Sequence, residues 1–376
     1  MTSSSTIAPH APPPSRPRAG GTVVVVVVCA ALALAVGLVA RPAPSRLPDH
    51  HVGDAALATL AREVVGEGQP ALAVAAVTRD GTRTVAIGAG LDDRFEIGSI
   101  SKGLTGLLFA EMIGRGEVTA ATRLGDLVPV DGPIAEVTLA QLATHHSGLP
   151  RQPPTVAQFL RGYWSGLSAG DPHIATLTQL LAELADVHPD APPATYSNVG
   201  FELLGAALAA AGGAPYPQLL AERVLIPLGM ADTIVPVSAA ELGPRDLLGE
   251  ARGGRRADPW LGEAMGPAGT GRADITDMAV LARALLDGSA PGIDALTSRS
   301  TFDEEDSIGW AWFTRAVPAT GTTVVWHNGS TGGFSSFLGI DRDAGTAVVV
   351  LAAAGEPADR ITATGFTLLE RIGGEA

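Results

Sequence analysis

Phe95-Glu96-Ile97-Gly98-Ser99-Ile100-Ser101-Lys102 holds the only lysine of a 376-residue chain whose other 24 cationic side chains are arginine. Where a fixed surface charge suffices this chain uses arginine, so Lys102 is expected to do what arginine cannot, which is to give up a proton and take one back. Ser99 lies three residues earlier, and if a helix begins at about Ser99 the two positions share one face. The stretch 103–113, Gly-Leu-Thr-Gly-Leu-Leu-Phe-Ala-Glu-Met-Ile, carries enough apolar residues for a largely buried helix. A serine in its first turn would sit in the field of the helix N-terminus, which favours developing negative charge and disfavours a protonated lysine. As a bare pattern, Ser-x-x-Lys equally describes any helix start with a capping serine.

Working outward, the stretch is preceded by helical spacing over 55–66 and by an expected hairpin, 71–78 and 82–88, with Asp80-Gly81 supplying the turn. From 123 to 290 the pattern is mainly helical, with helices expected at 139–144, 174–186, 199–211, 216–224 and 276–286. After Ser307 it reverts to short strands, 309–315, 322–327, 335–340 and 346–352, and a helix over 358–372 closes the chain. This order predicts an α+β fold: an antiparallel β-sheet flanked by N- and C-terminal helices, with a mainly helical region inserted between its halves.

The length and a hydrophobic content of 46% allow a full core. No acidic residue precedes Asp49, so residues 47–376 set 21 Lys/Arg against 39 Asp/Glu, a balance of −18 that repels phosphate backbones and argues against nucleic-acid binding. The single cysteine, Cys29, leaves the body no disulfide and no cysteine-ligated metal. Residues 1–22 read as a disordered tail rich in Ser, Pro and Ala. Residues 23–40 are an uncharged run of 18, at the lower limit for a membrane-spanning helix. The competing reading is a cleavable signal segment, with small residues at Ala33 and Ala35; the run favours the anchor by continuing to Ala40. Either reading exports the body, to the outer face of the cell membrane or into the medium. Residues 41–53, with three prolines, read as a linker, and 54–376 as the folded domain.

Asparagine is nearly as scarce as lysine, at Asn198 and Asn328 alone. Asn198 lies in Tyr196-Ser197-Asn198, just before an apolar helix. A tyrosine there is able to relay a proton, and an amide to hold both Lys102 and a substrate; the plainer alternative is a helix-capping asparagine beside a packed tyrosine. Asn328 lies in Trp326-His327-Asn328-Gly329-Ser330-Thr331-Gly332-Gly333-Phe334 at the end of a predicted strand. Glycine there admits a ligand backbone, and free N–H groups bind an oxyanion; the alternative is an ordinary turn with an incidental histidine.

Ser-x-x-Lys, Tyr-x-Asn and His-x-Gly in this order resemble the serine β-lactamase and penicillin-binding-protein superfamily, in particular its class C branch, which includes D-alanyl-D-alanine carboxypeptidases, D-aminopeptidases and esterases. Supporting stretches are Leu139-Ala140-Gln141-Leu142-Ala143-Thr144-His145-His146-Ser147-Gly148-Leu149-Pro150, Pro227-Leu228-Gly229-Met230-Ala231-Asp232-Thr233 and Pro267-Ala268-Gly269. The resemblance covers about residues 55–372. It implies a β-lactamase/transpeptidase-like fold with Ser99 as acylated nucleophile and Lys102 as its base. It makes Tyr196 a second acid/base, has Asn198 orient Lys102 and substrate, and forms the oxyanion hole from the backbone N–H groups of Ser99 and Ser330. His327 matches the lysine of the Lys-Thr-Gly found in many relatives, and Asn328 and Gly329 fall at substrate-binding positions. Asn328 departs from the threonine whose hydroxyl helps hold a substrate carboxylate.

Other chemistries find less support. A Walker loop is excluded because Gly103-Leu104 follows the only lysine, and no serine sits in a Gly-x-Ser-x-Gly elbow. Adjacent His145-His146 share no helix face and make a poor metal site. The loop 266–271 lacks dinucleotide spacing, so no cofactor and no metal are expected. The cluster Asp303-Glu304-Glu305-Asp306 reads as a solvated loop. The expected function is therefore a membrane-tethered extracytoplasmic serine hydrolase, acting through a Ser99 acyl-enzyme on an ester, a D-amino-acid amide or peptide, or a β-lactam. A non-catalytic, penicillin-binding-like envelope sensor that keeps the pocket is the alternative. The substrate would be a small molecule or peptidoglycan-like; the oligomeric state is not readable from the sequence.

Overall fold

The computed structural model describes residues 27–29, 45–173, 175–190, 193–317 and 321–374. The chain divides into two units, Met1–Ala43 and Pro44–Ala376. Of the first, only 27–29 are described, as an exposed helical turn; the expected tail and the rest of the apolar run lie outside the described residues. Among the described residues, no helix is long and apolar enough to cross a membrane.

The second unit is built on one antiparallel sheet of nine strands. In chain order these are β1 (His51–Gly53), β2 (Leu72–Thr78), β3 (Gly81–Ile87), β4 (Ser300–Thr301), β5 (Asp306–Ile308), β6 (Phe313–Val317), β7 (Thr322–Ser330), β8 (Ser335–Asp341) and β9 (Thr346–Ala352). Across the sheet they run β1-β3-β2-β9-β8-β7-β6-β5-β4. The halves of the chain meet where β9 pairs with β2, from Thr346 opposite Thr78 to Ala352 opposite Leu72. Both strands are buried along their length, apart from the half-buried Thr78, because helices cover both faces of the sheet, and such strands read as continuous apolar runs.

The α-helices of five or more residues among the described ones are, in chain order, α1 (Ala55–Val65), α2 (Ile100–Gly114), α3 (Leu139–Ala143), α4 (Val156–Ser168), α5 (Leu177–Glu183), α6 (Asn198–Gly212), α7 (Tyr216–Leu220), α8 (Ile275–Asp287) and α9 (Ala358–Gly373). Alternation along the strands sorts the core into two layers. Leu72, Val74, Val348 and Val350 pack with Leu57 of α1 and Leu368 and Ile372 of α9. Ala73, Ala75, Val349 and Leu351 face the opposite side with Leu104 and Leu108 of α2, Leu204 of α6 and Leu281 of α8. Each fully buried Leu, Ile or Val there contributes about 1.5–3 kcal/mol relative to exposure. Helices α2 and α6 are buried nearly all round, which explains why neither shows a one-sided apolar stripe.

Several expectations shift. The linker reading ends early: β1 pairs with β3, and Leu47 N–H already bonds Glu67 O at 3.0 Å, so residues 45–53 belong to the folded unit. The hairpin turn is Arg79-Asp80, with Gly81 opening β3 opposite Thr78. The strand expected at 309–315 begins only at Phe313, because the backbone turns at Ala311 (φ 72°) and Trp310 N–H bonds Ala295 O. Asp306 of the acidic cluster is buried, accepting from Arg315 at 2.9 and 2.6 Å and from Trp326 Nε1 at 3.2 Å. Helix α4 was not anticipated.

A buried ionic cluster ties the start of the inserted region to its end. Phe95–Glu96 pairs with Arg272–Ala273, and the fully buried Arg272 guanidinium reaches Glu96 at 2.9 Å and Asp246 at 3.1 Å. Arg94 clasps Asp246 at 3.0 and 2.6 Å. Burial raises the Glu96 carboxyl above its usual range, and the charge of Arg272 opposes that rise. Replacing Arg272 by Met should cost about 3–5 kcal/mol, because the buried Glu96 carboxylate loses its counter-charge and Asp246 keeps only Arg94. Urea denaturation measures this; a loss below about 1 kcal/mol would show the cluster to be dispensable.

Candidate active site

Ser99 leaves the Phe95–Glu96 ladder through Gly98 and stands at the N-cap of α2, where its side chain makes no capping bond. Gly98 has φ 51°, and a Cβ there would lie 2.8 Å from Ser330 N, so the site requires glycine at this close approach. Ser99 is half-buried, while Lys102, one turn on, is fully buried. Lys102 Nζ donates to Asn198 Oδ1 at 2.8 Å and to Ala268 O at 2.6 Å, and lies 3.0 Å from Ser99 Oγ.

These partners distinguish the two states of the amine. A neutral amine has two N–H groups and one lone pair; two oxygens that only accept take the hydrogens, which leaves the lone pair facing the serine hydroxyl. The electrostatics favour that state. Burial pushes the Lys102 amine well below its ordinary 10.5, the charge of Arg151 pushes it further, and Glu202 opposes both.

Burial raises the Tyr196 hydroxyl to about 12, and its interaction with Ser99 opposes that rise. Lys102 Nζ and Arg151 Cζ lie 4.9 and 5.0 Å from its ring centroid. Ser197 is the N-cap of α6, accepting from Gly200 N–H at 2.9 Å, so the capping alternative for Asn198 does not hold and its amide is free for Lys102. His145, with φ 61°, lies 4.4 Å from the Tyr196 ring and accepts Ser197 N–H on Nδ1 at 3.1 Å. Burial and neighbouring cations hold it neutral.

On the sheet side, the pairing of β6 with β7 stops at Trp326, so residues 327–330 form an edge bordering the site. His327 is fully buried and lies 5.4 Å from the Phe313 ring; its Nδ1 bonds Asn328 O at 2.6 Å, and burial takes the imidazole down to about 3. It is therefore a neutral group, not a copy of the lysine at the matching position in relatives. Asn328 is a correction. Strand alternation turns its side chain to the far face, where Nδ2 donates to Thr362 Oγ1 at 2.6 Å and Ala358 O at 3.3 Å on α9, so the side chain faces away from the site. Gly329 contributes its lack of a side chain: a Cβ would lie 2.1 Å from Ile97 O. Ser330 Oγ turns away to Glu356 O at 3.0 Å, leaving its backbone at the edge next to Gly98. Ser99 N–H has no backbone partner among the described residues.

A sequence model of the Beta-lactamase family matches residues 57–370. The chain belongs to that family. It is 34% identical over 153 residues to the D-alanyl-D-alanine-carboxypeptidase/endopeptidase AmpH of Escherichia coli, a match covering 38% of this chain and 37% of AmpH. It is 27% identical over 330 residues to penicillin-binding protein 4 of Amycolatopsis lactamdurans, covering 81% of each. A match to the unguisins hydrolase ungD' of Aspergillus campestris is 26% identical over 237 residues, 57% of this chain and 42% of the relative. The chain thus spans little more than a third of the length of AmpH.

Three contributors escaped the sequence reading. Ala268 acts through its carbonyl, which no side-chain pattern reveals. Arg151 follows the Ser147-Gly148-Leu149-Pro150 stretch directly. Glu202, buried and raised to about 8 by burial, sits one helical turn beyond Asn198, a spacing that could have flagged it. Removing the charge of Arg151 should stabilise the protonated lysine. Arg151→Gln is therefore expected to move the acid limb of Ser99 acylation by a fluorophosphonate to higher pH; a limb that stays or moves down contradicts the electrostatic account.

Proposed function

We propose that the protein is a serine hydrolase that works through an acyl-enzyme on Ser99. The observation carrying this reading is Lys102 Nζ, held by Asn198 and Ala268 and aimed at Ser99 Oγ. As Oγ forms its bond to the acyl carbon, its proton passes to the Lys102 lone pair, and the oxyanion is taken by the N–H groups of Ser99 and Ser330. Tyr196, beside Ser99, protonates the leaving group as the scissile bond breaks; it then takes a proton from the water that attacks the acyl carbon, while Lys102 returns its proton to the departing Ser99 Oγ.

The acyl donor is an ester or the amide of a D-amino-acid peptide. The names of two relatives point to D-alanyl peptides and penicillin. Donors that end in a carboxylate, β-lactams among them, find no side chain at 328 to hold that group, since Asn328 faces α9. The catalytic unit works outside the cytoplasm, tethered by the apolar run 23–40.

Steady-state assays on an acyl ester, an internal D-amino-acid amide, a D-Ala-D-Ala peptide and nitrocefin test this reading. Turnover of the first two should exceed that of the last two, and Ser99→Ala should lose at least about 10³-fold. Tyr196→Phe should lose about 10²–10⁴-fold. Absence of turnover together with absence of any Ser99 adduct across penicillin and fluorophosphonate probes would contradict the hydrolase and leave a binding protein.

A further inference from the structure

Helix α4 is inside out. Its polar residues hold it to the body: Gln158 is buried and bonds Pro172 O at 3.2 Å, and Arg161 pairs with Glu183 of α5 at 2.7 Å. Its apolar residues, Val156, Phe159, Leu160, Tyr163, Trp164 and Leu167, recur at helical spacing on the outer face, with Phe159 71% and Trp164 62% exposed. A helix packed for a soluble core shows the reverse arrangement.

Two further observations indicate what covers this face. The first is where the chain enters. Ser45 N–H and Oγ bond the carboxylate of Glu250, which pairs with Arg256 in a short hairpin, Glu250–Ala251 with Arg255–Arg256. Arg255 in turn donates to the carbonyls of Leu167 and Gly166 at the C-terminal end of α4. The entry point and the apolar face therefore belong to one connected patch. Only four residues, 41–44, lie between Ala40, the end of the apolar run, and Ser45, a reach of at most about 18 Å over five Cα steps. The second is charge. Arg252, Arg255 and Arg256 are exposed on this same hairpin, in a body whose balance is −18.

We infer that the outer face of α4 docks on an anionic lipid bilayer, with its aromatic residues at the headgroup boundary and the hairpin arginines on lipid phosphates. This inference rests on the tethered reading above. It also places the catalytic mouth near the bilayer, since Arg151, over Tyr196, precedes α4 by five residues.

The test uses the full chain reconstituted in phosphatidylcholine vesicles containing phosphatidylglycerol, with and without brominated acyl chains. Flotation reads the tether, and tryptophan quenching reads the helix, because Trp164 is exposed while the other four tryptophans are buried or half-buried. The expected result is flotation with a bromolipid-quenched share of emission that disappears in Trp164→Phe. Flotation with equal quenching in both proteins overturns the docking of α4 and leaves the tether standing. Failure to float overturns the tether, and this inference with it. A dimer in detergent that Phe159→Ser converts to monomer assigns the face to a second copy of the chain and likewise overturns the proposal.

Discussion

Everything in the inserted region converges on one nitrogen. Lys102 Nζ is buried among two carbonyl-type acceptors and one hydroxyl, and these come from three different elements: Asn198 from α6, Ala268 from the single helical turn Gly266–Gly269, and Ser99 from the start of α2. A charged ammonium there would lose its hydration for partners that carry no full negative charge, whereas a neutral amine matches them in number and direction. The same constraint gives the site its function. A lysine that holds its proton is a counter-ion; one that has lost it is a base.

The sheet supplies what the helical region cannot. It brings β7 alongside the nucleophile, where the free edge at 327–330 offers backbone N–H groups, and Gly98 and Gly329 let the two chains approach closely enough. The buried Arg272 cluster fastens the strand leading to Ser99. Charge around Lys102 is balanced: Arg151 favours the neutral amine and Glu202 opposes it, with Glu202 itself raised to about 8 by burial. Helix α4 departs from the logic of the core, because its exposed apolar face adds nothing to packing within the described residues.

The chemical centre was legible because its residues are scarce. One lysine and two asparagines in 376 residues draw attention to Ser99-x-x-Lys102 and Tyr196-x-Asn198, and these are brought together as expected. Strand β9 was readable to the residue because a strand covered on both faces is a continuous apolar run. Asn328 misled because a motif gives order along the chain, while strand alternation decides which face a side chain takes. Asp306 misled because its neighbours Asp303, Glu304 and Glu305 look solvated, and only the fold reveals Arg315 and Trp326 around it. Pro267-Ala268-Gly269 marks the stretch but not the role of the Ala268 carbonyl, and the helical spacing of Val156, Phe159, Leu160, Tyr163, Trp164 and Leu167 is the signal for α4 that a loop reading of this stretch passes over.

The scarcity of lysine also provides the most direct measurement. Feeding ¹³C/¹⁵N-lysine labels a single residue, so the Cε and Nζ resonances of Lys102 can be titrated without assignment. The predicted result is a midpoint well below the ordinary 10.5. A midpoint at or above 10.5 would mean that Lys102 keeps its proton and that another group must activate Ser99.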